Sequence, residues 1–81
     1  MKKAYPIIIS KGSKFYIADI PDFGISTQGT TVPDTIEMAR DAIGTVGADM
    51  EDDGETLPTP TDISKLPQKN GAIITLVDVD F

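Results

Sequence analysis

An α+β fold of order β-β-β-α-β, with one long helix packed on one face of a small sheet, is predicted by three features of this 81-residue chain. Residues 5–28 hold apolar runs and period-two patterns, broken twice by turn residues. From Val32 the period changes, and Val32, Ile36, Ala39, Ile43, Val46 and Met50 recur at alternating steps of four and three, which draws one apolar stripe along a helix. Residues 72–81 return to alternation, with Ile73, Thr75, Val77, Val79 and Phe81 on one side of an extended chain. The length suits one domain, residues 1–81, with a single small core and a stability of about 4 to 12 kcal/mol.

Residues 5–10 (YPIIIS) form an almost continuous apolar run, the pattern of a strand buried on both faces or covered by a helix, with Pro6 near its beginning. Lys11-Gly12-Ser13-Lys14 reads as a hairpin turn in which Gly12 supplies an unusual backbone conformation. Phe15, Ile17 and Asp19 then fall on one side of the second strand, and Tyr16, Ala18 and Ile20 on the other. Pro21-Asp22-Phe23-Gly24 combines a fixed φ, a side chain able to bond nearby backbone and a residue free to take positive φ, a recipe for a tight corner. A third strand, residues 25–28, completes an antiparallel meander. Thr31 is placed to cap the helix, with Pro33 tolerated in its first turn and Asp34 favoured at its positive end. Gly44 and Gly47 each weaken the helix by about 1 kcal/mol relative to Ala, so they predict close approach to the sheet. Gly54 is the expected stop. Residues 57–61 (LPTPT) should run extended, residues 62–71 should form a loop or one short helical turn around Ile63 and Leu66, and residues 72–81 should form the last strand, with Asp78 and Asp80 on its polar side.

Composition narrows function. There is no Cys, which removes disulfides and thiolate metal sites and fits a reducing, cytoplasmic setting. There is no His, which removes Ser-His-Asp and Cys-His nucleophile systems and His-based acid-base chemistry. Any enzyme built on this chain would have to use paired carboxylates or a carboxylate-held hard metal such as Mg²⁺. Thirteen acidic against seven basic residues give a net charge of −6, which opposes binding to phosphate backbones and suits a basic protein partner. No stretch is long enough to span a membrane.

Two acidic groupings imitate metal sites. Asp49-Met50-Glu51-Asp52-Asp53-Gly54 resembles the opening of an EF-hand loop, yet its twelfth position is Pro60 where a bidentate Glu belongs, so it reads as a solvated helix end. Asp78 and Asp80 share a strand face as a metal-holding pair would, but the first strand, Ile7-Ile8-Ile9, offers no carboxylate to complete it. No cofactor or metal is therefore expected.

The order and spacing of Tyr5-Pro6, the aromatic-apolar strand, Pro21-Asp22-Phe23-Gly24, Thr27-Gln28-Gly29 with its Thr31 cap, Ala39 and Ala42 in the helix, Gly54, Leu57-Pro58-Thr59-Pro60 and Val77-Asp78-Val79-Asp80 resemble the HicB family of toxin-antitoxin antitoxins over nearly the whole chain. The resemblance implies a partial RNase H-like sheet of strand order 3-2-1-4, the last strand parallel beside the first through a right-handed helical crossover. It implies a non-catalytic antitoxin that neutralises a small basic mRNA-cleaving HicA-like toxin, in a homo-oligomer. Many members also carry a C-terminal DNA-binding domain. This chain stops at Phe81, where such a domain would begin, so operator binding is not carried over and would need that domain in the full-length protein.

An inhibitor of a basic RNA-binding toxin must offer carboxylates where phosphates would lie. Glu37, Asp41, Asp49, Glu51, Asp52 and Asp53 on the polar helix face and just beyond it are the candidates, with Asp19 and Asp22 second. The readings from other classes are a degenerate RNase H-like metal-dependent nuclease or metal-binding domain, using Asp78 and Asp80, and a stand-alone oligomerisation domain.

Overall fold

The computed structural model describes residues Met1–Phe81. Strand β1 (Lys2–Lys11) turns through residues 12–15 into β2 (Tyr16–Ile20), and a single 3-10 turn at Pro21–Phe23 leads to β3 (Ile25–Gly29). Helix α1 (Val32–Asp52) follows, then a long connection with one 3-10 turn at Ile63–Lys65, then β4 (Ile73–Asp80). The four strands form one sheet of order β3-β2-β1-β4, and α1 covers one face of it.

Alternation assigns the faces as the sequence implies. Ala18 and Ile20 are buried while Ile17 and Asp19 are exposed; Val77 and Val79 are buried while Asp78 and Asp80 are exposed. Tyr5, Ile7 and Ile9 of β1 join these inner residues beneath Ala39 and Ile43 of α1. Tyr5 packs edge-on against Phe23, with ring centroids 4.8 Å apart, and against Phe81 at 6.4 Å. Such aromatic pairs add about 0.5 to 1.5 kcal/mol beyond their buried area.

The helix begins where the sequence places it. Thr31 is extended, and its side chain accepts from the Asp34 backbone N–H at 3.1 Å, while the Asp34 carboxylate accepts from the Thr30 N–H at 2.9 Å. Gly54, at φ 75°, ends the run. Close approach proves real at Gly47, where a Cβ would run into the Phe81 ring; at Gly44 it would make only ordinary contact with Val79, at 3.8 Å. Gly29, read in the sequence only for its place in Thr27-Gln28-Gly29 before the helix, is the less forgiving position, since a Cβ there would lie 2.6 Å from the Thr35 backbone nitrogen, whereas at Gly47 the obstacle is a side chain. Gly12 is also corrected: its φ is not positive, and its role is to let its N–H reach the Phe15 carbonyl at 2.8 Å, a place where a Cβ would crowd that oxygen. Gly24 does take positive φ, 64°, at the Pro21 corner.

The main correction concerns β4. It pairs with β1 antiparallel, Lys2 opposite Asp80 and Ile9 opposite Ile73, not parallel as the helical crossover implied. The reason is the length of the connection. The C-terminal half of α1 lies against Phe81 and Val79, at the end of the sheet where β1 begins. A strand starting directly there would have run parallel to β1. Residues 53–72 instead carry the chain to the opposite end before β4 starts. That connection is tied down early: Leu57 is buried, the Tyr5 hydroxyl donates to the Pro58 carbonyl at 2.7 Å, and the Thr61 N–H donates to Asp22 at 3.0 Å.

Ile43 is fully buried among these residues. Ile43→Asp places a charge there without a partner, at a cost of several kcal/mol against a total of about 4 to 12. The variant is expected to lose cooperative thermal unfolding; a melt close to the parent's would show that α1 does not present this face to the sheet.

Candidate functional site

Asp41, Asp49, Glu51 and Asp52 lie on α1, Asp53 caps its end, and all five are exposed with no ion-pair partner. At about 100° per residue, Asp41 and Asp52 share with Glu37 the stripe opposite Ile43, and Asp49 and Glu51 flank it. The last turn contains no basic residue, although a helix C-terminus favours cations. Asp49 and Glu51 stand inside the helix, which removes any calcium-loop geometry from this segment.

Glu37 differs from its neighbours because Arg40 engages it. The Arg40 guanidinium bonds Glu37 through Nη1, donates through Nε to the Asp78 carbonyl at 3.0 Å and reaches the Asp78 carboxylate at 3.4 Å. Lys2 approaches the other Asp78 oxygen at 3.8 Å, and the N-terminal ammonium pairs with Asp80 at 3.1 Å. The two carboxylates suspected of holding a metal therefore face cations of their own chain, and no three acidic, His or Cys residues cluster as metal ligands would. Hydrogen bonding to Glu37 first, and then to Asp78, raises the Arg40 pKa. Asp78 is held below the usual aspartate range, chiefly by its own backbone N–H and next by Arg40.

Asp19 and Asp22 do not join the helix group. Asp19 is exposed on the sheet face away from α1, opposite Ile8 in register, and lines an open hollow with Ile20, Pro21, Gly24, Ile25 and Ser26. Asp22 is half-buried and accepts from both the backbone N–H and the hydroxyl of Thr61, so it anchors the connection. Burial, and then the charge of Asp22, pushes up the pKa of Tyr5 beside it. Sequence reasoning missed both the Asp22–Thr61 tie and the bridging role of Arg40. Neither carries a local signal, because the partners are separated by 39 and 38 residues.

The sequence pattern of the HicB-like antitoxins of bacterial toxin-antitoxin systems matches residues 5–81. The chain belongs to this family. Its fold is similar to a chain of a toxin-antitoxin complex from Streptococcus pneumoniae, with a TM-score of 0.88 at 22% identity, over 99% of this chain and 70% of that one. It is also similar to a chain of the HicA3 and HicB3 toxin-antitoxin complex, with a TM-score of 0.77 at 26% identity, over 96% of this chain and 99% of that one. No curated protein matches it in sequence. As a HicB-like antitoxin the chain presents α1 and its acidic end on one side of the sheet, and no helix in it is long and apolar enough to cross a membrane.

The lowered Asp78 pKa has a defined sign. A carboxylate depressed in the folded state adds stability above its unfolded pKa, and that contribution disappears as pH falls through the folded value. In a carboxyl NMR titration Asp78 should titrate below an ordinary aspartate, and Arg40→Gln should move it part of the way back, since its own N–H still donates. An Asp78 titration that Arg40→Gln leaves unchanged would remove Arg40 as a cause.

Proposed function

We propose that this HicB-like chain is a protein inhibitor and not a catalyst: it binds a small basic mRNA-cleaving toxin of the HicA kind and covers that toxin's RNA-binding and catalytic surface. The observation that carries this reading is the unpaired acid at the C-terminal end of α1. Carboxylates at a helix's negative pole are unfavourable by about 0.3 to 1 kcal/mol each, so their accumulation there answers no need of the isolated fold. It suits a cationic partner. A surface that binds RNA offers cations at phosphate positions, and Asp41, Asp49, Glu51, Asp52 and Asp53 present free carboxylates to meet them. Glu37 joins only if the toxin displaces Arg40, and Asp22 only if Thr61 releases it. The HicA3 and HicB3 complex, itself a toxin-antitoxin pair, supports the choice of partner.

In this reading residues 1–81 act as one cytoplasmic domain that assembles into a homo-oligomer, and contact with operator DNA occurs only if the full-length protein has a C-terminal DNA-binding domain. The purified chain should show no nuclease activity with Mg²⁺ or Mn²⁺. Turnover abolished by Asp78→Asn with Asp80→Asn would reverse the assignment in favour of an enzyme.

Binding kinetics with a purified HicA-like toxin at two ionic strengths test the acidic surface. Charge reversal at Glu51, Asp52 and Asp53 should slow association by about tenfold at low salt and flatten its salt dependence, because rim charges steer encounter. Asp41→Ala should instead speed dissociation if its carboxylate is buried in the complex. Unchanged rates in every variant, with folding intact, would exclude this face.

A further inference from the structure

Asn70-Gly71 lies at the end of the connection from α1 to β4, and Asn70 is the chain's only asparagine. In a sequence this dipeptide usually signals a hairpin turn with positive φ at both positions. Here it makes a different turn. The Ala72 N–H donates to the Lys69 carbonyl at 3.0 Å, and Gly71 takes φ 78° while no residue other than glycine has positive φ. Lys69–Ala72 is therefore a type II turn, with Asn70 second and Gly71 third. Both residues are exposed, and the Gly71 N–H donates to no backbone carbonyl. The 69–72 bond is the one backbone hydrogen bond holding residues 67–72. Asp53-Gly54 offers the contrast: its glycine N–H donates to the Glu51 carbonyl at 3.0 Å, and its side chain is a carboxylate, a much poorer electrophile than an amide.

We infer that Asn70 is a site of self-modification, converting with water to aspartate and isoaspartate through a succinimide closed by the Gly71 nitrogen. The Gly71 amide gives its proton to solvent and attacks Cγ of Asn70. The new C–N bond closes a five-membered ring, the Cγ–Nδ2 bond breaks, and the side-chain nitrogen leaves as ammonia with a proton from solvent. Water then opens the ring at either carbonyl: cleavage on the Cγ side restores the main chain with aspartate, and cleavage on the Cα side leaves isoaspartate. One water is consumed, one ammonia is released, and nothing is oxidised. Attack between adjacent residues is intramolecular, and glycine brings no Cβ to obstruct it. In the closed turn a ψ of about +120° at the second position holds the Gly71 nitrogen off the Asn70 side chain. The reaction therefore waits on opening of the turn, which one exposed hydrogen bond resists. Either product adds one negative charge to the chain's −6, next to Lys69. Isoaspartate also inserts a methylene into the main chain between Lys69 and Ala72, which dismantles the turn just before Ile73 pairs with Ile9 at the end of the β1–β4 ladder.

The test is incubation of the folded, purified chain at neutral and at mildly alkaline pH, followed by isoelectric focusing and peptide mass spectrometry. A more acidic species should accumulate, faster at the higher pH, with the change at residue 70 and isoaspartate exceeding aspartate there. Heavy-oxygen water should leave one labelled oxygen in each converted chain. Asn70→Gln would have to close a six-membered ring and should slow the shift by about tenfold or more. In the isoaspartate fraction the Ala72 amide should lose its protection from hydrogen exchange while the amides of β1 and α1 keep theirs. A parent that keeps its mobility while a free peptide of residues 67–73 converts under the same conditions overturns the inference, because the folded turn then protects Asn70. An equal acidic shift in Asn70→Gln, or conversion to aspartate alone, overturns it too, by placing the reaction elsewhere or removing the succinimide. Toxin capture enters none of these readouts, so their failure leaves the antitoxin reading untouched.

Discussion

Burial of Tyr5, Ile7 and Ile9 beneath α1 is the constraint on which the rest of the molecule depends. β1 has β2 on one side and β4 on the other, and its inner face lies under the helix, so these side chains join every layer of the fold. The strand also tolerates Pro6 for a reason the register makes plain. Pairing with β2 covers only Ile8 to Lys11, and the alternation set by the mutual Met1–Phe81 bonds turns the Pro6 nitrogen away from Leu76 and β4, so its missing N–H falls where no ladder runs. Tyr5 extends the same constraint outward. Its ring is held edge-on by Phe23 and Phe81 while its hydroxyl fixes Pro58, so the core also positions the chain that leaves the helix.

Most of the fold was legible because it is written in local patterns. Period two along Tyr16 to Ile20 and Ile73 to Asp80, the 4-3 stripe from Val32, the Thr31 cap and the Gly24 corner each depend on neighbours within a few residues, and each appears where the pattern puts it. The direction of β4 was not legible. A strand has the same alternation whichever way it runs, so only the route of residues 53–72 decides, and that route is held by Tyr5 and Asp22, remote in sequence. The candidate site divides on the same principle. Exposure of Asp41, Asp49, Glu51, Asp52 and Asp53 follows from helix phase, whereas the engagement of Glu37 by Arg40 together with Asp78, and of Asp22 by Thr61, is a tertiary fact with no local trace.

Charge is distributed by function more than by number. Arg40, Lys2 and the N-terminus quiet the acid along β4, so the chain's negative excess is left at the far end of α1. A HicB-like antitoxin with its carboxylates neutralised evenly would have the same net charge and a much weaker field toward a basic partner. Keeping the remaining acid unpaired, next to the helix's own negative pole, concentrates that field in one direction.

The meeting of the chain's two ends has a kinetic meaning. Met1 bonds Phe81, and Lys2 lies opposite Asp80, so the longest pairing in the sheet joins the first residues of the chain to the last. Native-like β1–β4 contacts cannot form until the residues between the two strands have closed on themselves, which places this fold among those slowed by distant contacts. The same adjacency makes the topology nearly circular. Linking Phe81 to Met1 by a short turn and opening the chain at the Gly12 loop would turn the β1–β4 pair into a hairpin and make β1–β2 the remote pair, so the long-range closure would pass from a ladder of eight residue pairs to one of four with the architecture intact.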